Sequence, residues 1–334
     1  DPPGCQDIDD ALSVHLNPVT NNYEIGVHIA DVTSFVRQGS TLDVEALHRG
    51  TTVYLVDRRL DMLPTLLSTN LCSLLCGVDR LAMSVMWEFD STTLKYIEGS
   101  VWYGRTIIKS SYALSYGQAQ NILEGKRPGD GTGLEKGEHR SQHRVGTCGG
   151  SVSEKDVSEW LKNDLLVLRN VGRVMLKKRK KNDAVSFESH EVKFRLDSLT
   201  GRPKAVKTKK HLEIHSTIEE MMVYANNSVA MKIFQTFPTT SLLRRHAAPD
   251  KKKIQRLNKM FLELGMPPDV NLNTTPLSDC MAMAVQHAGD DYLKVSLVRT
   301  SAVKIMSEAK YFCTGESRTA GREGGEGEEE EKQR

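Results

Sequence analysis

The chain has 334 residues, of which 39% are hydrophobic and 26% are charged. This composition is typical of a folded globular protein, so it excludes disorder over most of the chain. The net charge of +2 excludes nucleic-acid binding through overall charge, and any such binding must depend on a local arrangement of basic residues. No apolar run approaches the roughly eighteen residues needed to cross a bilayer, so we predict no membrane-spanning segment.

Cysteine usage bears on the compartment. Six cysteines in 334 residues are too few for a disulfide scaffold. We therefore predict reduced thiols with no disulfide partner, in a protein of the nucleus, the cytoplasm or both. Cys72 and Cys76 lack a second ligand pair nearby, which argues against a zinc site.

Alternating apolar residues predict strands in the first half of the chain. Leu12, Val14 and Leu16 alternate with polar residues, and residues 17–22 have the composition of a turn. The predicted elements of this half are a β-hairpin over residues 12–29, a helix over residues 40–48, and strands over residues 52–56, 83–89 and 96–108, the last two paired.

Helical periodicity predominates in the second half. Ser216 and Glu219 have the spacing of a capping box and predict a helix start. Asp250 predicts another start, and Gly265 the end of that helix. The predicted elements are helices over residues 153–181, from residue 216, over residues 250–264 and over residues 291–313, and a strand over residues 192–196.

The fold class predicted is therefore α/β (α+β), as one domain over residues 1–315. Residues 124–153 are rich in Gly, Arg, His, Lys and Glu, which predicts a flexible insertion. Residues 316–334 are rich in Gly and Glu, which predicts a disordered tail. Because the chain begins at Asp1 inside a motif, we expect a fragment of a longer protein.

The strongest chemical signal is an acidic cluster, Asp1, Asp7, Asp9 and Asp10, beside a Pro-Pro-Gly turn. Such crowding is unfavourable unless a cation neutralises it. In a regular strand Asp10 would point away from Asp7 and Asp9, so convergence requires an irregular loop. Carboxylate oxygens suit Mg²⁺ or Mn²⁺, and such ions serve phosphoryl chemistry. A solvated acidic turn is the alternative, and the spacing alone leaves both open.

This segment resembles the signature of the ribonuclease II superfamily catalytic domain, and further words resemble its eukaryotic branch, which includes the exosome's catalytic exoribonuclease subunit. The words are GVHIADV at residues 26–32, RGTTVYL at 49–55, DMLP at 61–64, LCSL at 71–74, IEEMMVYAN at 218–226 and LLRRH at 242–246. Their order matches the family across residues 1–122 and 154–314.

The resemblance implies a mixed, largely antiparallel sheet surrounded by helices, with an RNA channel that ends at the carboxylates. It also implies a hydrolytic exoribonuclease that degrades single-stranded RNA processively from the 3′ end and releases nucleoside 5′-monophosphates. The implied metal ligands and catalytic residues are Asp1, Asp7, Asp9 and Asp10, with Asp9 the most sensitive and Mg²⁺ (or Mn²⁺) as the cofactor. The implied partners are single-stranded RNA and, for the whole protein, the exosome core.

The resemblance also implies RNA-binding roles for two other residues. Tyr54 would stack on or clamp the 3′-terminal nucleotide, the alternative being a half-buried strand residue. Glu220 would lie near the terminal nucleotide, whereas without the resemblance it is a solvated helix residue. For His28 and Asp31 we predict structural roles.

The family carries a word of the form Ser-Pro-Ile-Arg-Arg-Tyr, whose arginine stabilises charge on the scissile phosphate, and this sequence does not contain it. We therefore expect a catalytic domain that is incomplete at its C-terminus and a chain with impaired activity. A non-catalytic RNA-binding or exosome-scaffolding remnant is the second hypothesis. A phosphohydrolase of small esters is the third.

Overall fold

The computed structural model of the protein describes residues 5–55, 58–126, 146–147, 150–151, 159–181, 192–197, 203–208, 211–247, 249–289, 291–306 and 308–315. The chain divides into two compact units. The first unit comprises residues 1–177 and 210–225, and the second comprises residues 178–209 and 226–334.

Strands predominate early in the chain and helices late. The strands are β1 (Asp10–Leu16), β2 (Asn22–Ala30), β3 (Val53–Tyr54), β4 (Arg59–Leu60), β5 (Asp79–Asp90), β6 (Trp102–Lys109), β7 (Tyr112–Ala113), β8 (Gly146–Thr147), β9 (Gly150–Ser151), β10 (Val192–Leu196), β11 (Pro203–Thr208), β12 (Leu242–His246) and β13 (Ala309–Cys313). The α-helices are α1 (Thr41–Arg49), α2 (Tyr116–Leu123), α3 (Glu159–Lys181), α4 (Glu213–Thr236), α5 (Lys251–Glu263), α6 (Leu277–Ala288) and α7 (Tyr292–Ile305), with a 3-10 helix at Val32–Ser34 and a π-helix at Leu67–Leu71.

The main sheet of the first unit has four antiparallel strands in the order β1-β2-β5-β6. One face carries the large apolar side chains that the alternation predicted. This face buries Ile25, Val27, Val85, Trp87 and Phe89 against Leu168 and Val171 of α3 and Met221 and Ala225 of α4. A second cluster packs α2 against the start of α3 and Ile214 of α4. The sheet is therefore covered by helices, as the resemblance implied.

The second unit buries its core among α5, α6 and α7, where Leu257, Phe261, Ala284, Val298 and Ala302 are all buried. Asp250 caps α5 by accepting a hydrogen bond from the Lys252 backbone N–H, as the sequence predicts. Two antiparallel ribbons, β10-β11 and β12-β13, complete the described part of this unit.

The N-terminal hairpin, the helix near residue 40 and the pairing of the strands near residues 83–108 are confirmed. Two helix boundaries were wrong. The helix predicted to begin at Ser216 begins at Glu213, because the His215 imidazole accepts from the Leu212 backbone N–H and the Ser216 hydroxyl contacts His211 instead.

The second boundary error concerns the last helix, predicted over residues 291–313. It ends at Ile305, and Ala309–Cys313 form a strand that pairs with β12. Helix α6, which was not predicted, precedes it.

Some predictions lie wholly or partly outside the described residues. These are the helix start near residue 153, the tail at residues 316–334 and most of the insertion at residues 124–153. None of the helices in the described ranges is long and apolar enough to cross a membrane. Within those ranges Cys5, Cys72, Cys280 and Cys313 are not joined by disulfide bonds.

Candidate active site

The acidic segment leads directly into the first strand of the main sheet. Residues 5–9 have no regular structure, and Asp10 is the first residue of β1. The Ala30 backbone N–H donates to the Asp9 carbonyl at 2.9 Å. Asp7 and Asp9 therefore lie on an irregular segment, whereas Asp10 lies in the regular strand.

A buried serine fixes the other side of this segment. The Ile8 backbone N–H donates to Ser73 Oγ at 3.0 Å, and the Ser73 hydroxyl donates to the Gln6 carbonyl at 2.8 Å. Leu74 adds a backbone bond from its N–H to the Ile8 carbonyl at 2.9 Å. Ser73 lies in the LCSL word, and these bonds give that word a structural role.

Asp7 is held by the short hairpin β3-β4. The Tyr54 hydroxyl donates to Asp7 Oδ2 at 2.9 Å, and Arg59 Nη1 donates to Asp7 Oδ1 at 2.6 Å. Tyr54 and Arg59 are directly opposite each other in the hairpin register. The hairpin thus brings a phenol and a guanidinium to the same carboxylate, although Tyr54 and Arg59 are 47 and 52 residues from Asp7 in the sequence.

Arg59 was missed by the sequence analysis. It falls between the RGTTVYL and DMLP words, and it forms an ion pair with Asp61 of the latter through Nε. A two-residue strand is too short for periodicity to show its register, so only the position of a basic residue five after Tyr54 offered a signal. Charge-assisted hydrogen bonds of this kind are stronger than neutral ones.

The environment of Asp9 and Asp10 disfavours the charged form of both carboxylates. Burial, followed by the charges of Asp7 and Asp10, raises the pKa of Asp9 above its ordinary value, and Arg59 opposes this shift. Burial likewise raises the pKa of Asp10. The hydrogen bond to Asp7 raises the pKa of Tyr54 to about 12, because ionised Tyr54 could no longer donate to that carboxylate.

The donor chemistry of this cluster fits a hard divalent cation. Its oxygens are those that Mg²⁺ and Mn²⁺ prefer, and a cation would offset the negative charges of Asp7 and Asp10, which add to the effect of burial in raising the pKa of Asp9. Within the ranges that the structure describes, no three His, Cys, Asp or Glu side chains form a group that could hold a metal. Asp1, the fourth predicted ligand, lies outside those ranges.

A cavity of about 570 Å³ in the first unit extends from Asp10 along β1. The edge of β1 forms one wall, and α2 and the start of α3 form others. Tyr112 and Trp160, whose ring centroids are 5.0 Å apart, also line the cavity. Its dimensions are those of small-molecule sites.

Glu220 is more deeply buried than Asp7, Asp9 and Asp10. It is 3% exposed on α4, beside the core residue Met221. The solvated-helix alternative for Glu220 is therefore wrong, since the helix turns this position inward. The RNA-binding role stays a prediction.

His28 and Asp31 make structural contacts, as predicted. His28 Nδ1 lies 2.6 Å from Ser84 Oγ, and Nε2 lies 2.8 Å from Ser13 Oγ. Asp31 accepts from the Thr33 hydroxyl at 2.6 Å and the Ser34 hydroxyl at 2.8 Å, and these bonds lower its pKa.

The antiparallel sheet, its helical cover and the carboxylates at the start of β1 define the ribonuclease II class of fold. A solved structure, Mycoplasma genitalium RNase R in complex with ribose methylated single-stranded RNA, has a TM-score of 0.73 and 23% identity over 93% of this chain and 43% of its own. The yeast protein Ssd1, a pseudonuclease, has a TM-score of 0.63 and 22% identity over 92% of this chain and 33% of its own.

The chain matches the RNB domain over residues 1–324, and it therefore belongs to the RNB domain family. A curated relative, the Exosome complex exonuclease RRP44 homolog A of Arabidopsis thaliana, is 39% identical over 317 residues, which are 95% of this chain and 30% of the relative. The chain thus spans about a third of the length of the curated relatives it matches. The resemblance inferred from the ordered words is confirmed.

Proposed function

We propose that this protein contributes the catalytic domain of a hydrolytic exoribonuclease that degrades single-stranded RNA from the 3′ end, processively, to nucleoside 5′-monophosphates. The observation that carries the proposal is the 2.9 Å hydrogen bond from Tyr54 to Asp7. It joins the residue expected to bind the terminal nucleotide to a carboxylate expected to bind metal. The RNB family match and the exosome exonucleases among the relatives support the same activity.

Asp1, Asp7, Asp9 and Asp10 would hold Mg²⁺ or Mn²⁺, which when bound supplies activation of water and charge stabilisation for phosphodiester hydrolysis. Asp9 belongs to an exposed position on the irregular segment, where an incoming RNA end could reach it, although its carboxylate is partly withdrawn from water. Glu220 would contribute on the terminal-nucleotide side, as the resemblance implies.

Tyr54 has the exposure that a stacking role requires. The residue is 68% exposed although its hydroxyl is anchored on Asp7, so the aromatic ring remains accessible. A ring held in this way can stack on any base, which suits an enzyme that tolerates all sequences. The half-buried strand residue considered as the alternative does not match this exposure.

The activity is tested with a 5′-labelled single-stranded RNA in excess over the enzyme and Mg²⁺ present. The expected result is conversion of full-length RNA to short end products without accumulation of intermediate lengths, with 5′-monophosphates identified by chromatography. Asp9→Asn is the matched control because it removes one charge and nearly preserves shape, and it should leave the RNA at full length. Shortening by Asp9→Asn at the wild-type rate would refute the role of the cluster.

The 334-residue chain contains no Ser-Pro-Ile-Arg-Arg-Tyr word, and its activity by itself is therefore proposed to be low. Slow shortening that requires stoichiometric enzyme fits this expectation. Multiple rapid turnovers by the same chain would contradict the impairment while supporting the exoribonuclease.

A non-catalytic RNA-binding or exosome-scaffolding protein is the second candidate. It is favoured by the fold similarity to a pseudonuclease and by the engagement of both Asp7 oxygens by protein groups. Metal-dependent RNA binding without any product would support it. Exosome association is proposed for the whole protein and is tested by co-elution with a reconstituted core, and nuclear or cytoplasmic location by imaging a tagged protein.

A further inference from the structure

Arg59 is enclosed between two carboxylates beside the site. Its Nη1 donates to Asp7 Oδ1 at 2.6 Å, while Nη2 lies 3.5 Å from Asp61 Oδ2 and Nε pairs with the same carboxylate. Its side chain is 22% exposed and that of Asp7 is 16% exposed, so solvent screens the contact incompletely. The guanidinium thus contacts both carboxylates and is largely shielded from solvent.

Hydrogen bonds hold the hairpin that carries Arg59 together and to α1. The Leu55 backbone N–H donates to the Arg58 carbonyl at 2.8 Å and closes the turn, and Tyr54 pairs with Arg59 across the strands. Arg49 Nη1 donates to the Asp61 carbonyl at 2.8 Å and ties the end of the hairpin to α1. An Arg side chain remains charged at every relevant pH, so its charge is a permanent part of the site.

We propose that Arg59 is the resident counter-ion of Asp7, which neutralises this carboxylate in the metal-free protein and competes with the divalent cation for it. The inference rests on the proposed metal-dependent function. It extends that function by assigning Arg59 as a positioning residue that weakens metal binding. The physical reason is that Arg59 Nη1 lies 2.6 Å from Asp7 Oδ1, so a cation held by this carboxylate would be close to the guanidinium and the two positive charges would repel.

The competition is measured as the affinity of the purified chain for Mn²⁺, followed by the electron paramagnetic resonance signal of the free ion. Arg59→Gln removes the charge at the contact. Arg58→Gln is the matched control, because it makes the same change at the adjacent exposed residue. A third variant combines Arg59→Gln with Asp61→Asn and so removes both charges of this ion pair. Its net charge equals that of wild type, and Asp61 is not left as a carboxylate without its guanidinium partner.

We expect Arg59→Gln and the double variant to bind Mn²⁺ about three- to tenfold more tightly than wild type, and Arg58→Gln to stay within about twofold. Equal tightening by both single variants would show a long-range charge effect and overturn the counter-ion assignment. Unchanged or weaker binding in the double variant would overturn it too. Should Arg59→Gln fail to fold, as checked by circular dichroism, the double variant alone decides.

The same titration separates this inference from the proposed function. If no chain binds Mn²⁺, the metal site and the counter-ion both fail. If wild type binds but Arg59→Gln binds no better, only the counter-ion fails. If the Arg59 effect is present and RNA is never hydrolysed, the counter-ion stands and the nuclease assignment fails.

Discussion

His28 connects strands of the main sheet through a chain of hydroxyl groups. His28 contacts Ser13 and Ser84, and Ser84 Oγ in turn lies 2.6 Å from Thr106 Oγ1. The Thr106 hydroxyl donates to the Ala82 carbonyl at 3.3 Å. Because a carbonyl only accepts, Thr106 donates to Ala82, Ser84 donates to Thr106, and His28 Nδ1–H donates to Ser84. Burial lowers the pKa of His28 and so favours the neutral imidazole, whose Nε2 then accepts from the Ser13 hydroxyl.

Replacing this residue by His28→Leu keeps similar bulk and removes both imidazole contacts. Each hydrogen bond contributes about 0.5–1.5 kcal/mol, and a buried hydroxyl left unsatisfied costs about 1–3 kcal/mol more. Ser84 keeps Thr106 as a partner, so the one stranded group is the hydroxyl of the half-buried Ser13. Two lost hydrogen bonds and one stranded hydroxyl give an expected loss in the free energy of unfolding of about 2–6 kcal/mol.

The assay is urea unfolding at pH 8, followed by the fluorescence of the three tryptophans, of which Trp87 is 1% exposed in the same sheet. His15→Leu is the matched control, since His15 is exposed on β1 and should cost less than about 0.5 kcal/mol. A loss for His28→Leu that is no larger than that for His15→Leu would refute the hydrogen-bonded role of the imidazole.

The same pair of variants gives a test by pH. Burial lowers the pKa of His28 below its ordinary value of 6.5, so below pH 6.5 the unfolded chain binds more protons than the folded one. This contribution to stability is complete above pH 6.5 and is lost as pH falls toward the folded pKa. Wild type should therefore lose more stability than His28→Leu between pH 8 and pH 5.5. Parallel pH dependences would contradict a buried, neutral imidazole.

Three further outcomes are expected. Asp9→Asn should weaken Mn²⁺ binding at least about tenfold without loss of stability in urea, because the charged form of Asp9 is already penalised, and unchanged affinity would remove it from the site. Gly26→Ala should cost about 1–3 kcal/mol in urea unfolding, because its Cβ would lie 2.7 Å from His28 Nε2 in a buried contact. Trp87→Leu should lower the free energy of unfolding by at least about 2 kcal/mol, because Trp87 is 1% exposed. Trp102→Leu, at a 48% exposed position, should lower it by less than about 1 kcal/mol, and equal losses would contradict a core role for Trp87.

The sheet could be predicted from the sequence because its strands have one buried face. Ile25 and Val27 recur at a period of two on β2, as do Val85 and Trp87 on the paired strand β5. A slip by one residue would expose them, so pattern and register agree. The strand at Ala309–Cys313 could not be predicted in this way. Its partner Leu242–His246 lies 63 or more residues earlier, and nothing local distinguishes its apolar residues from the continuation of a helix.

The candidate site also combines residues that the sequence predicts with residues that it does not. Asp7, Asp9, Asp10 and Tyr54 were predicted as site residues because their residue types and their ordered words match a family. Arg59 was not identified, because its role depends on the two-residue register of a hairpin. Ser73 was quoted within a word, but only the structure explains it, since its hydroxyl acts on backbone atoms and leaves no chemical signature.

The position of the carboxylates is inseparable from the register of β1. Asp10 pairs with Ile29, and the Ala30 N–H bonds the Asp9 carbonyl, so the hydrophobic pairing that seats the strand also fixes where Asp9 stands. A one-residue slip would turn Asp10 to the opposite face and bury polar residues in place of Leu12 and Val14. The buried face of the sheet thus resists a register slip that would rearrange the cluster. The Asp7 side chain, by contrast, is held by a separate hairpin, so a change in charge there leaves the pairing of the main sheet intact.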